Sequence, residues 1–177
     1  VLVVGSLEMS EIVAWQSEHR WFILHSPFTF IAFFIFFISG LAETNRTPFD
    51  IPEAESELVA GWMTEYSGFR WAIFFLSEYA SMLIICILSS VLFLGGWLSP
   101  MTIFNIFPDS WLFFDGPIWG IFWLFSKALF LIFVMMWFRW TFPRLRVDQL
   151  MHLCWKVFIP FALANLFFVA ILELIFL

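Results

Sequence analysis

The chain has 177 residues, 63% hydrophobic and 12% charged, with a net charge of −6 and a mean hydropathy of +0.96. Soluble domains carry about 45–50% apolar and about 25% charged residues, so a water-soluble fold of this size could not cover its own apolar surface. Soluble enzymes and disordered linkers are poor readings, and fourteen Asp and Glu against eight Lys and Arg also disfavour a nucleic-acid partner.

What remains is an all-α integral membrane protein, a single membrane domain over residues 1–177. Backbone in lipid must satisfy itself, and no ten-residue alternating barrel pattern is present. Val1 to about Leu7 reads as the tail of a span, followed by a partly polar stretch, Glu8 to Arg20. A bilayer core of about 30 Å needs roughly 20 apolar residues as helix. By that ruler the first complete span runs from about Pro27 to Leu41, extended at its start by His25 and Ser26. The others run from Trp71 to about Trp97, Ile118 to Phe138 and Val157 to Leu177. The expectation is four complete transmembrane helices plus the tail of another. The chain opens Val1-Leu2-Val3-Val4, inside an apolar run and without a basic leader, so a preceding segment is expected.

Loop charges give the orientation. The link Thr44–Arg70 carries Arg46 and Arg70, and the link Arg139–Lys156 carries Arg139, Arg144, Arg146 and Lys156. Between them, Leu98–Pro117 has no Lys or Arg. Basic links on one side and none on the other is the positive-inside pattern, so both basic links are expected on the cytoplasmic or matrix side.

Seven of the fourteen acids fall between Glu43 and Glu78: Glu43, Asp50, Glu53, Glu55, Glu57, Glu65 and Glu78. Thr47-Pro48-Phe49-Asp50 reads as an N-cap, a proline at the first helical position and an acid in the first turn, with Asp50-Ile51-Pro52-Glu53 as an overlapping second start. A helix from there through about Val59 would set Glu53 and Glu57 four residues apart on one face. A solvated acidic face is the plain reading of such a run. The flanking spans and the interleaved Ile51, Leu58, Val59 and Trp62 favour a segment folded back into protein.

Two charges fall within spans. Glu78 is seven residues into its span and Lys127 nine residues into the third. Each would cost about 2.5–3.5 kcal/mol facing lipid, so each is expected to face the bundle interior, a hydrated cavity or the other. An interhelical structural pair and an ion or proton path are both open. Glu173, near the chain end, reads as an interfacial group. His19, His25 and His152 have no metal-ligand spacing with Cys86, Cys154 or the acids, and no phosphate loop, nucleophile elbow or paired-thiol motif is present. No metal or cofactor site is expected on the chain.

The strings AETNRTPFDIPEAESELVAGW (Ala42–Trp62), TEYSG (Thr64–Gly68), FFLSEYA (Phe74–Ala80) and FPRLRVDQLMHLCWKVFIP (Phe142–Pro160) resemble subunit 1 of respiratory complex I, called H in the bacterial enzyme. The resemblance is to its C-terminal half. It implies an NADH:ubiquinone oxidoreductase with FMN and iron–sulfur clusters in other subunits, none bound by this chain, and ubiquinone as the substrate of the complex. It also implies peripheral quinone-site subunits and neighbouring membrane-arm subunits as partners, besides lipids, and a mitochondrial inner membrane, with the bacterial plasma membrane as alternative. The family's loop between its fifth and sixth helices, which helps line the quinone chamber, corresponds to the acidic loop at residues 44–70. On that mapping Glu43, Arg46, Asp50, Glu53, Glu55, Glu57, Glu65 and Glu78 are candidates for the quinone chamber and the start of the proton-coupling path. Leu145 and Val147 stand where the family often has aromatics. The N-terminal half is expected either as a separate chain or as a part lost to truncation or partial reading. Rival readings from the residues are a stand-alone ion channel or secondary transporter, resting on Glu78 and Lys127, and a structural assembly scaffold.

Overall fold

In a computed structural model, residues 2–50, 65–100 and 117–176 are described, and every regular element among them is helical. Helix is the form in which an apolar segment pairs its own backbone groups. In chain order the helices are α1 (Met9–Glu18), α2 (Phe22–His25), α3 (Pro27–Glu43), α4 (Phe69–Phe93), α5 (Pro117–Thr141), α6 (Val147–His152) and α7 (Ile159–Phe176). A wider π-helical stretch, Leu153–Phe158, joins α6 to α7 without a break. Three runs are long and apolar enough to cross a bilayer: Phe69–Phe93 with 25 residues, Ile118–Thr141 with 24 and Val147–Ile175 with 29. α3 has 17 residues, a rise of about 25 Å, at the short end of the spanning range.

The ends of these helices differ from the hydropathy boundaries for local chemical reasons. Ser26 lies outside α3 and caps it: its Oγ accepts from the Thr29 N–H at 3.2 Å, and its own N–H donates to Thr29 Oγ1 at 3.1 Å. Pro27 follows at the first helical position, where its missing N–H is no loss. α4 stops at Phe93 rather than Trp97, because Gly95 and Gly96 take positive φ values of 73° and 52°. The last span begins at Val147, ten residues before the hydropathy boundary, so only residues 142–146 of the second basic link are non-helical. Residues 2–4, expected as the tail of a helix, form a turn instead, and Gly5 follows with φ 77°. Thr47 to Asp50, read as a helix start, also forms a turn, in which the Phe49 N–H reaches the Arg46 carbonyl at 2.8 Å. The second proposed start, and the helix through Val59, lie outside the described residues.

The core runs between α3, α4 and α5. Phe33, Phe37 and Leu41 form a stripe at spacing four on α3, facing Met82 and Cys86 of α4 and Ala128, Leu131 and Met135 of α5. Cys86 is fully buried with its Sγ 3.7 Å from Met135 Sδ, so this cysteine is a packing residue. α7 lies outside this core against α3, with the Phe168 ring stacked on Phe28 at 5.5 Å. The outward faces are apolar: Ile118, Trp140 and Leu174 are each 80% exposed or more. In lipid such faces carry no penalty, and helices associate through close packing of small residues.

Gly40 is such a position. A Cβ built there would sit 2.5 Å from Ile85 Cγ2, so α3 and α4 touch at this point with no room for a methyl group. Gly40→Ala is expected to destabilise the bundle by about 1–3 kcal/mol, read as a lower thermal midpoint of the membrane-extracted assembly. Ile85→Ala in the same chain removes the obstructing methyl group and should recover part of that loss; no recovery would mean the two helices do not meet there.

Candidate functional site

The charged residues gather at one end of the bundle because the turn after α3 directs them there. Thr44 closes the helix, its Oγ1 donating to the Gly40 and Leu41 carbonyls at 3.2 and 3.1 Å. Asn45 then adopts φ 50°, a left-handed conformation that Asn tolerates better than most residues. The reversal sends Arg46 inward, where it is 6% exposed. Its Nε lies 3.1 Å from Glu78 Oε1 on α4, and its guanidinium carbon is 4.6 Å from the centre of the Tyr79 ring. A cation over an aromatic face and against a carboxylate suits Arg better than Lys, since the planar guanidinium can do both.

A second pair joins the two basic links. Arg144 Nη2 donates to Asp50 Oδ2 at 3.3 Å, and the Leu145 N–H donates to the Pro48 carbonyl at 3.1 Å. The turn after α3 is thereby stitched to the turn after α5, across 94 residues of sequence. The charge count put both links on one side of the membrane, and here they are in contact.

Of the expected site residues, the fold brings Arg46, Asp50 and Glu78 together. Glu43 is exposed on the last turn of α3, and Glu65 is exposed before α4; neither joins the two pairs. Glu53, Glu55 and Glu57 lie outside the described residues. Lys127 does not meet Glu78: it binds backbone carbonyls at 94–98, beyond the other end of α4. Arg144 and Tyr79 belong to the cluster and were not singled out from sequence. The alternation of basic links held the signal for Arg144; Tyr79 lies in the quoted FFLSEYA string, which gave it no role. Among the described residues, Arg46 Nη2 and Asp50 Oδ1 are buried without a hydrogen-bond partner, so the cluster retains unused donor and acceptor capacity. No group of three or more His, Cys, Asp or Glu suited to a metal ion occurs among the described residues.

A family model described as NADH dehydrogenase matches residues 1–170. The chain belongs to the NADH dehydrogenase family. It is similar to proteins named as the H subunit of NADH-quinone oxidoreductase. That of Chlorobaculum tepidum is 51% identical over 174 residues, covering 96% of this chain and 48% of the relative. That of Granulibacter bethesdensis is 53% identical over 175 residues, covering 98% and 47%. That of a Geobacillus species is 49% identical over 176 residues, covering 99% and 48%. The chain spans about half the length of the curated relatives it matches.

Within this family member the Arg46–Glu78 pair tests whether the cluster is held by charge. Arg46→Met leaves Glu78 without its cation and should destabilise the assembly by about 3–5 kcal/mol, the usual effect of breaking a buried pair. Arg46→Met with Glu78→Gln removes both charges and should recover most of that loss. A double-mutant thermal denaturation cycle measures the coupling; additive losses would mean the pair is incidental.

Proposed function

We propose that this chain is part of the membrane subunit of a proton-pumping NADH:quinone oxidoreductase, where it lines the quinone chamber and starts the acidic proton-coupling path. The observation that carries the reading is the paired cluster in which Arg46 and Asp50, from the segment that resembles the family's quinone loop, meet Glu78 and Arg144. Buried polar capacity left open on Arg46 and Asp50 supports a further partner at this place. That partner is either the acidic stretch Glu53, Glu55 and Glu57 or the quinone head group itself.

Reducing a quinone to a quinol takes two electrons and two protons, so charge at the chamber changes with each turnover. A unit charge 4 Å away is worth about 4 kcal/mol at an effective dielectric near 20. Carboxylates in such a setting respond to the change by taking or releasing protons. Glu43, Glu55, Glu57 and Glu78 are the proposed relay groups, and Arg46 holds Glu78 in place. Electrons enter through FMN and iron–sulfur clusters of other subunits, and this chain supplies apolar wall and ionisable groups.

The partners in this reading are the remaining half of the subunit, carried on a separate chain or on more of this one, with peripheral quinone-site subunits, membrane-arm neighbours and lipid. The bacterial relatives support the bacterial plasma membrane over the mitochondrial inner membrane. The channel or transporter reading rested on Glu78 and Lys127 as path charges. It is weakened because Lys127 is bonded to three carbonyls.

In membranes holding the assembled complex, Glu43→Gln and Glu57→Gln should each impair quinone-coupled proton translocation. Oxidation of NADH by an artificial acceptor that bypasses quinone should stay at the parental rate. Full pumping in both variants would overturn the relay assignment, and transport by the isolated chain would favour the channel. Loss of assembly with normal turnover in whatever assembles would favour a scaffold.

A further inference from the structure

At the other end of α4 the backbone faces a problem that the sequence does not reveal. The helix ends at Phe93 and the chain reverses through Gly95 and Gly96, leaving carbonyls that no helical N–H can reach. This happens beside Lys127, ten residues or about 15 Å into α5, towards the middle of a helix long enough to cross a bilayer. Unpaired carbonyls at such a depth are tolerated only if protein supplies the donors.

Two side chains supply them. Gln16 of α1, 2% exposed, donates through Nε2 to the Val91 and Leu92 carbonyls at 3.0 and 3.3 Å, and its Oε1 accepts from the Gly95 N–H at 2.9 Å. Lys127, 9% exposed, donates to the carbonyls of Leu94, Gly96 and Leu98 at 2.7, 3.0 and 2.6 Å. An ammonium has three hydrogens, and each has an acceptor here. Beside these bonds, Nζ lies over the Trp21 ring, 4.0 Å from the ring centre. The wall is close-packed, since a Cβ on Gly95 would stand 2.6 Å from Trp21 Nε1.

We propose that the Leu94, Gly96 and Leu98 carbonyls and the face of Trp21 form a binding cage for a primary ammonium, and that Lys127 is its tethered occupant. The ammonium locks the end of α4 to α5, while Gln16 ties α1 to the same turn. The carbonyls themselves take no proton, since backbone amide oxygens are far too weakly basic near neutral pH, and the charge suits the negative end of α4. Among the described residues no carboxylate pairs with Lys127. The inference stands apart from the quinone reading, because it can be measured without turnover.

The test uses membranes containing the assembled complex and follows amide hydrogen exchange at residues 94–98. Lys127→Met keeps the bulk and removes the charge, and should speed exchange there about tenfold. Lys127→Ala should lose the same protection and regain it with added ethylammonium chloride, but not with ethanol. If the Lys127 variants fail to assemble, Trp21 provides the measurement with Lys127 intact. Trp21→Leu should then speed exchange several-fold, while Trp21→Phe, which keeps a ring, stays within about twofold. The proposal is overturned if Lys127→Met leaves the segment protected, if ethanol rescues as well as ethylammonium, or if Trp21→Leu and Trp21→Phe behave alike. Protection retained with translocation abolished in Lys127→Met would make Lys127 a path residue instead.

Discussion

Charged side chains and helix-end carbonyls that lie away from water in this bundle are held by other parts of the protein, and that requirement organises both ends of α4. Lipid offers neither donors nor acceptors, so a guanidinium, a carboxylate or a free carbonyl placed there is held by protein or not tolerated. Near the start of α4, Glu78 answers to Arg46 from the turn after α3. Past its last residue, loose carbonyls answer to Lys127 from α5 and Gln16 from α1. The apolar core of Phe37, Met82, Cys86 and Met135 lies between these two regions and keeps them apart. One long helix thus presents an ion-paired end and a backbone-bonded end.

The two ends have different chemical capacities. At the first, opposite charges sit beside unused hydrogen-bonding atoms on Arg46 and Asp50, next to an acidic run in the sequence. At the second, one cation is held by three neutral oxygens beside a ring. Two charged residues inside spans, equivalent by composition, therefore divide into one paired with an opposite charge and one bound by neutral backbone.

The legibility of the chain follows the same physics. Hydropathy located the apolar helices, because burial in lipid depends on the average character of a run and not on any single neighbour. The basic links fell on one side by counting, and their contact through Asp50 and Arg144 agrees with it. What escaped was anything decided by a backbone acceptor. Lys127 was visible as a charge, but its three partners are carbonyls, which every residue has and no sequence pattern marks. Gln16 carried no signal within a partly polar stretch, although it is almost wholly buried. The end of α4 was placed four residues late, because Leu94 and Trp97 are as apolar as the helix before them. There the left-handed backbone of Gly95 and Gly96 decides, not hydrophobicity. The turn at Thr47 looked like a cap by residue type, yet Asp50 was claimed by a distant arginine.

The wide coil at Leu153–Phe158 has a further consequence. Bonds there run to the fifth residue instead of the fourth, which rotates everything beyond it relative to everything before. The same continuous rod can then satisfy two independent alignments: Leu150 and Leu153 turn toward the core below the basic link, while Phe168 meets Phe28 of α3 on a bearing of its own. A uniformly wound rod would fix both bearings with one phase.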